Sequence, residues 1–461
     1  MKNPKLTIIL FVAILWTGCL AEAEDDGVSH ATTPINATAT EFSASPTRPP
    51  STPPMVTTTQ TPTPTQLPAE TETPTPAPTT IIPRYQCLDI GLDDTATISR
   101  QGVWVFNTQG NNGAWLISAS NESTPVRLPW QEGDHLYAFD ISPDRTRLLY
   151  LHSMANTRHT DLVIVDAAGK LIWSQPLIDE GYAWGWFDNE RLFNLVTQED
   201  DVPYLILLNY ETGERQEIRA NYPGYTLPVI LNWYGIVHEW SAPKTVYDLN
   251  LTRVVYGGCT PDCANGYPVI LWDLVNDQEI TRLLTMDVFG SYPMWLPDNN
   301  HFLIAANLDT SNPLAPTNEF YLVSRDGDID QLTNLFENHS EVEINPHISL
   351  SPNGRYVAFW LRLQSDYYDA RLAVLDIETR EVTNYCLPGE TFRNDPGLKD
   401  NNYRTYYVDT PIWSPDSTQL IIVQRDPEDR SIRWDVLIDL QNEMAIKIGE
   451  ELQPVGWMVS P

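Results

Sequence analysis

The chain has 461 residues and carries 61 acidic against 28 basic side chains, which gives a formal net charge of −33. So acidic a chain is a poor candidate for binding nucleic acid or for docking on anionic lipid. The chain also contains no Gly-rich phosphate-binding phrase and no Gly-x-Ser-x-Gly nucleophile elbow. Composition and motifs therefore exclude several common enzyme classes, and we predict no catalytic residue, no cofactor and no metal site.

The N-terminus has the form of a bacterial lipoprotein signal peptide. Lys2 and Lys5 precede an apolar run over 6–16, which is too short to span a bilayer as a mature helix. The run leads into Thr-Gly-Cys19, which resembles a lipobox, although Trp16 stands where Leu is usual. The resemblance implies that residues 1–19 are a signal peptide and that Cys19 is lipidated. The alternative is an ordinary secretory peptide whose cysteine is incidental.

Residues 20–83 are predicted to be a disordered tether. The segment is dominated by Thr and Pro and has Phe42 as its one aromatic residue. Such a composition buries too little apolar surface to offset the entropy of the chain. A Pro-rich segment is extended, at about 3 Å per residue, so we interpret it as a passive spacer between the membrane anchor and a folded domain over 84–461.

The remaining cysteines fit an oxidising compartment. The chain has five cysteines, so four remain if Cys19 is lipidated. An even number of cysteines is typical of disulfide-bonded proteins in such a compartment. Cys259 and Cys263 flank a Thr-Pro-Asp turn, and we predict that they form a short disulfide. Cys87 and Cys386 then pair by elimination, which says nothing about geometry.

A repeated phrase sets the fold of residues 84–461. Two apolar runs are joined by a turn built on Pro and Asp or Asn, most clearly at Ser142-Pro143-Asp144, Ser351-Pro352-Asn353 and Ser414-Pro415-Asp416. A unit of four short strands recurring at about 45–60 residues is typical of a β-propeller blade. We therefore predict an all-β domain.

Seven blades are predicted from the hairpin pattern. Outer hairpins are expected over 114–128, 161–173, 204–218, 269–283, 320–335, 372–386 and 435–448. Inner hairpins are expected over 139–151, 184–196, 246–256, 294–306, 349–361 and 412–423. The first outer hairpin has only the strand 102–107 before it, and 455–461 looks like the start of an inner hairpin. The C-terminus should therefore close the ring as a velcro strand. Six or eight blades remain possible because 219–245 is irregular.

This pattern resembles the TolB-like propellers of bacterial periplasmic proteins. The Ser-Pro-Asp/Asn phrase and the Gln331-Leu332-Thr333-Asn334 run carry the resemblance, which covers essentially all of 84–461. These motifs are structural, so the resemblance implies a fold and no activity. TolB has an additional N-terminal domain that the tether replaces here, so its role is not transferred.

The predicted binding surface is the face on which the connections between hairpins lie. Long connections are expected at 220–244, 257–267, 307–318, 364–370, 387–410 and 424–432, whereas the turns within hairpins are tight. Loops carry function on a fixed scaffold, and exposed Tyr and Trp are efficient contact residues. The candidate binding residues are Tyr367, Tyr368, Tyr403, Tyr406, Tyr407, Trp233 and Tyr234. Each of them can instead pack over the propeller as a local core.

Two further patterns are weak candidates for metal chemistry. The carboxylates of Asp326, Asp328, Asp330 and Glu337 match a calcium-loop template in spacing, but Gln331 stands where that loop needs Gly. We interpret this segment as a plain hairpin turn. His347, with His135 and His301 on other inner hairpins, is expected near the channel, where TolB-related pectate lyases place metal-binding histidines.

The sequence thus favours a binding scaffold for an envelope protein or a glycan, held at the membrane by its lipid anchor alone and binding no nucleic acid. The alternative is a polysaccharide lyase or hydrolase that uses the central channel.

Overall fold

The computed structural model describes residues 87–92, 98–108, 113–120, 124–155, 159–177, 184–196, 204–219, 245–257, 267–285, 293–308, 319–335, 342–344, 348–363, 366–389, 410–425, 433–450 and 452–460. All of them belong to the second of the two units into which the chain divides, Pro74–Pro461; the first unit is Met1–Thr73. The predicted signal peptide, Cys19 and the whole of the predicted tether lie outside the described residues.

The described strands form seven antiparallel sheets, which are the blades of a propeller. Blade 1 contains β1 (Val103–Thr108), β2 (Ala114–Ser118), β3 (Val126–Arg127) and β29 (Leu452–Met458). Blade 2 contains β4 (His135–Ile141), β5 (Arg147–Ser153), β6 (Thr160–Asp166) and β7 (Leu171–Pro176). Blade 3 contains β8 (Trp184–Trp186), β9 (Arg191–Val196), β10 (Tyr204–Asn209) and β11 (Arg215–Arg219).

The remaining blades follow in chain order. Blade 4 contains β12 (Thr245–Tyr247), β13 (Arg253–Gly257), β14 (Tyr267–Asp273) and β15 (Gln278–Thr285). Blade 5 contains β16 (Met294–Trp295), β17 (His301–Ala306), β18 (Glu319–Ser324) and β19 (Ile329–Gln331). Blade 6 contains β20 (Val342–Ile344), β21 (Ser349–Leu350), β22 (Tyr356–Leu363), β23 (Asp366–Asp376) and β24 (Glu381–Gly389). Blade 7 contains β25 (Ile412–Trp413), β26 (Gln419–Arg425), β27 (Arg433–Asp439) and β28 (Met444–Glu450).

The C-terminal strand closes the ring, which confirms the predicted velcro. β29 pairs antiparallel with β1, with Trp457 opposite Trp104 and Gly456 opposite Val105. A Cβ at Gly456 would lie 2.5 Å from Cγ1 of Ile141 in blade 2. Only glycine therefore allows the closing strand to approach the next blade this closely.

The hydrophobic core lies between neighbouring blades. In the second strand of blade 2, four consecutive residues are buried, Leu148, Leu149, Tyr150 and Leu151. Leu148 and Tyr150 pack in the cluster shared with blade 1, whereas Leu149 and Leu151 pack in the cluster shared with blade 3. A middle strand covered on both faces reads as a continuous apolar run, which explains the runs seen in the sequence.

Blade 6 departs from the predicted pattern on its inner side. β20 and β21 both pair with β22, so the innermost position of this blade is occupied by two short strands. The sequence predicted only the second of them, because the run before it is too short and polar to be recognised as a strand.

A segment before blade 1 runs along the outside of the last blades. Cys87 is bonded to Cys386, with their Cα atoms 5.0 Å apart, which confirms the predicted long disulfide. Leu88 pairs in parallel with Tyr385 at the outer edge of blade 6, and Leu92 pairs with Ala445 of blade 7. This outer segment, 87–92, thus links both blades. The predicted Cys259–Cys263 bridge lies outside the described residues.

Candidate functional site at the channel mouth

The Ser-Pro-Asp phrase forms a self-capped turn between the first two strands of a blade. In blade 2 the Ser142 hydroxyl donates to Oδ1 of Asp144 at 2.7 Å and accepts from the backbone N–H of Arg147 at 3.0 Å. Burial raises the pKa of Asp144, but hydrogen bonds from Ser142 and Thr146 outweigh it and hold that pKa below its usual value. The phrase therefore shapes the turn and uses its polar atoms in doing so, as predicted.

These turns all lie on one side of the ring, which we call the tight-turn face. It carries 142–146, 167–170, 248–252, 296–300, 351–355 and 414–418, among other turns within hairpins. Turns of neighbouring blades are bonded to each other: from Asp144 N–H to Asn189 Oδ1 at 2.9 Å, from Leu249 N–H to Asn299 Oδ1 at 3.0 Å, and from Asn353 N–H to Ser417 Oγ at 3.1 Å. The tight-turn face is therefore fixed by contacts between blades.

Blades 4 and 5 are joined there by a buried ion pair. The Asp248 carboxylate is fully buried and lies 2.8 Å from Nη1 of Arg325. It also accepts from the backbone N–H groups of Thr252 and Arg253 at 2.7 and 2.6 Å. A buried charge needs such a set of partners, since an unpaired one destabilises the fold.

A cavity of 510 Å³ opens where the central channel meets the tight-turn face. Its walls come from the innermost strands and first turns of blades 1, 2, 4, 5, 6 and 7. Apolar side chains make up much of the wall, including Phe139, Ile141, Tyr247, Trp295, Ile412 and Val455. The volume falls within the range of about 300–1,000 Å³ that is typical of small-molecule sites.

One carboxylate, that of Asp140, lies in this wall. Its Oδ2 accepts from the backbone N–H of Trp186 in blade 3 at 2.7 Å, and its Oδ1 accepts from that of Ile141 at 2.9 Å. Burial raises the pKa of Asp140 to about 6, although both hydrogen bonds and the positive charge of Arg145 oppose the shift. Asp140 therefore changes its charge close to neutral pH.

Arg145 lies in the same wall and reaches across the closure of the ring. Its Nη1 donates to the backbone carbonyls of Trp413 in blade 7 at 3.1 Å and of Trp457 in blade 1 at 3.3 Å. Its own carbonyl accepts from the Val459 N–H at 2.9 Å. Arg145 is thus tied both to the velcro strand and to the last blade.

The sequence did not single out Asp140 or Arg145. Asp140 sits between two apolar residues of β4, Phe139 and Ile141, and a carboxylate in an innermost strand was a signal available for it. Arg145 has a φ of 60°, a conformation that Gly354 supplies in the equivalent turn of blade 6. An Arg where a glycine is favoured was the second available signal.

Most of the predicted binding residues lie outside the described residues, namely Tyr403, Tyr406, Tyr407, Trp233 and Tyr234. Tyr367 and Tyr368 lie within strand β23. The predicted long connection over 364–370 is therefore wrong, because only 364–365 separate β22 from β23. The pairing of β22 with β23 reaches Leu363 and Asp366, but it skips 367–369, where the register shifts.

The structure does not support the weak metal candidates. Among the described residues, no group of three or more His, Cys, Asp or Glu side chains is close enough to hold a metal ion. Residues 325–328 join β18 to β19 as a hairpin turn, as we interpreted them, and Asp330 pairs with Arg380 at 2.7 Å. The ring of His301 bonds to Asp298 at 2.7 Å within a tight turn. His135 begins β4, while His347 and Glu337 lie outside the described residues.

No family model matches the chain, and no curated protein matches it. Similar solved structures include TolB from Acinetobacter baumannii, at 12% identity with a TM-score of 0.39 over 79% of this chain and 67% of that one. An oligogalacturonate lyase from Vibrio parahaemolyticus is 12% identical, with a TM-score of 0.46 over 76% of this chain and 87% of that one. The propeller domain of the Trilobed protease from Pyrococcus furiosus is 10% identical, with a TM-score of 0.44 over 75% of this chain and 94% of that one.

The seven sheets and the pairing of β29 with β1 confirm the predicted seven-bladed propeller with its velcro strand. Similarities at such low identity concern the fold alone and transfer no activity. In the part of the chain that the structure describes, no helix is long and apolar enough to cross a membrane.

Proposed function

We propose that this chain is a lipid-anchored, extracytoplasmic propeller that acts as a binding scaffold for a protein or a glycan of the cell envelope. In this proposal Cys19 carries the anchor and residues 20–83 are the tether. The partner meets the face opposite the tight-turn face, where the connections between hairpins lie.

The difference between the two faces is the observation that carries the proposal. On the tight-turn face the turns are short and bonded to each other. Between strands on the opposite side the chain inserts segments as long as 220–244 and 390–409. Insertions gathered on one side of a fixed scaffold are typical of a recognition surface. Those two segments contain five of the seven candidate Tyr and Trp residues.

Two further observations support the compartment and the class of partner. The Cys87–Cys386 disulfide fits an oxidising, extracytoplasmic location. The net charge of −33 favours a neutral or cationic partner and disfavours nucleic acid.

The test is capture by the full-length protein of envelope proteins and of an array of polysaccharides, read for retention and for cleavage. The rim variant replaces Tyr403, Tyr406 and Tyr407 by Ala. The control variant replaces Leu171, Ile172 and Val275 by Ala; these residues are 57%, 43% and 70% exposed, the first two at the start of β7 and the third in the turn between β14 and β15. We expect the rim variant to lose retention at least about tenfold, as hot-spot truncations do, and the control to keep it. Equal retention by both variants would refute the proposal.

The alternative function is cleavage of a polysaccharide in the channel. Asp140 favours it, because a carboxyl with a pKa of about 6 in a cavity wall is suited to proton transfer near neutral pH. Glycan cleavage that is abolished by Asp140→Asn or by a chelator would establish this function in place of the scaffold.

A further inference from the structure

The cavity at the channel mouth lies on the tight-turn face, on the side of the ring away from the proposed partner surface. Its polar element is the guanidinium of Arg145. Only Nη1 is used in hydrogen bonds, to two backbone carbonyls. Nε and Nη2 donate to none of the residues that the structure describes, so one edge of the guanidinium is available to a ligand. This edge carries two parallel N–H groups, the arrangement that binds a carboxylate with two hydrogen bonds.

Arg145 is held in place before any ligand arrives. Its backbone carbonyl accepts from Val459, and Nη1 is fixed by Trp413 and Trp457 in two other blades. A side chain fixed in this way loses little conformational entropy on binding. The site is therefore built by the closure of the ring.

The cavity around Arg145 determines what else a ligand needs. Ile141, Tyr247, Trp295, Ile412 and Val455 line its walls. These surfaces favour an apolar body, because contact with them removes apolar area from water.

Asp140 limits the charge of the ligand. Its carboxylate lies in the same wall, and both of its oxygens already accept a backbone hydrogen bond. A dianionic ligand such as a phosphate monoester would bring two negative charges close to Asp140 and would therefore be repelled more strongly than a monoanion. A ligand with one negative charge avoids most of this repulsion.

We propose that the channel mouth on the tight-turn face binds a small monocarboxylate with an apolar body, through the free edge of Arg145 and the aromatic and aliphatic walls of the cavity. This site is independent of the proposed partner surface, since the two lie on opposite faces.

The first experiment compares 3-phenylpropanoate with 3-phenylpropanamide on the full-length protein, by ligand-observed NMR and calorimetry at pH 7. The two probes have nearly the same shape and differ in charge. We expect the carboxylate to bind and the amide to bind at least about tenfold more weakly, because only the carboxylate forms charge-assisted hydrogen bonds. No binding of the carboxylate up to its solubility limit, or equal binding of the two probes, would overturn the proposal.

The second experiment places a negative charge at the mouth of the cavity. Leu249 lines the cavity and is 47% exposed, so Leu249→Glu leaves the core intact and should weaken binding of the carboxylate about tenfold by charge repulsion. Val275→Glu is the matched control, since Val275 is 70% exposed in another turn of the same blade and does not line the cavity. If the two variants weaken binding equally, the carboxylate is not bound at the channel mouth.

Arg145→Lys gives a third reading, because it keeps the positive charge and removes the paired N–H edge. We expect weaker binding of the carboxylate and little change for the amide. Unchanged carboxylate affinity in a folded Arg145→Lys protein would contradict the role of Arg145. Should this variant fail to fold, the Leu249 and Val275 pair still decides the question.

Discussion

The Cys87–Cys386 disulfide joins residues that are 299 positions apart, and its removal is the sharpest test of how the ring is held. The crosslinked loop runs from the outer segment through β1 to Cys386 in β24, while the strands of blade 7 and the velcro strand β29 follow it in the chain. Loop-closure entropy for about 300 residues corresponds to about 5–6 kcal/mol, as an upper bound. This is comparable with the whole stability of many domains.

The change is Cys87→Ser together with Cys386→Ser. The outer segment would then be held to blade 6 by two backbone bonds, Leu88 N–H to Asn384 O at 2.8 Å and Cys386 N–H to Leu88 O at 3.0 Å. We expect a lower midpoint in guanidinium denaturation and a larger m-value, because the unfolded chain becomes more expanded.

The assay is equilibrium unfolding without reductant, so that the other cysteines are treated alike in both proteins. Amide exchange at Leu88 and at position 386 gives a local reading of whether the outer segment leaves blade 6. An unchanged midpoint together with unchanged exchange at both amides would refute the reasoning, since the bond would then constrain neither the unfolded chain nor the outer segment.

Three further predictions concern the tight-turn face. The pKa of Asp140 is raised to about 6 in the native state from 3.8, so between about pH 4 and 6 the native state keeps a proton that the unfolded state loses. As the pH rises through this window, the wild type should lose stability relative to Asp140→Asn, by up to about 3 kcal/mol. A difference in denaturation midpoints that does not depend on pH would contradict the raised pKa. In thermal unfolding, Gly354→Ala should lower the free energy of unfolding by about 1–3 kcal/mol more than Gly213→Ala. The two glycines have nearly the same φ, 73° and 74°, but only a Cβ at position 354 would meet a neighbour, Pro297 Cδ at 2.6 Å. Equal losses would show that blades 5 and 6 do not pack closely there. Asp248→Asn keeps the shape of the side chain and removes the charge that faces Arg325, so urea denaturation should show a free energy of unfolding lower by about 1.5–3 kcal/mol. Glu279→Gln, which removes the charge from an exposed pair with Arg282, is the comparison. Equal losses in the two variants would contradict the buried position of Asp248.

The sequence by itself predicted seven blades and the closure of the ring, although it missed β20. A middle strand of a blade is covered on both faces and must be apolar throughout, so the runs at Leu148–Leu151 and Leu420–Val423 were visible without coordinates. The incomplete first blade and the unfinished C-terminal hairpin implied the velcro, because an unpaired inner edge is unfavourable. The pairing of Cys87 with Cys386 was predicted by elimination, on the assumption that Cys19 is lipidated and that Cys259 pairs with Cys263, and the structure contains this disulfide.

Only the tertiary structure decided what meets at the channel mouth. Arg145 lies 268 and 312 positions away from the two residues whose carbonyls it binds, and the innermost strands that surround it come from blades far apart in the chain. Local preferences describe a residue and its near neighbours, whereas this cavity exists because the last strand returns to the first blade. The place of Tyr367 and Tyr368 within β23 was likewise visible only in the structure, since their local sequence reads as a polar loop, whereas β23 begins at Asp366 and pairs with β22 on either side of 367–369.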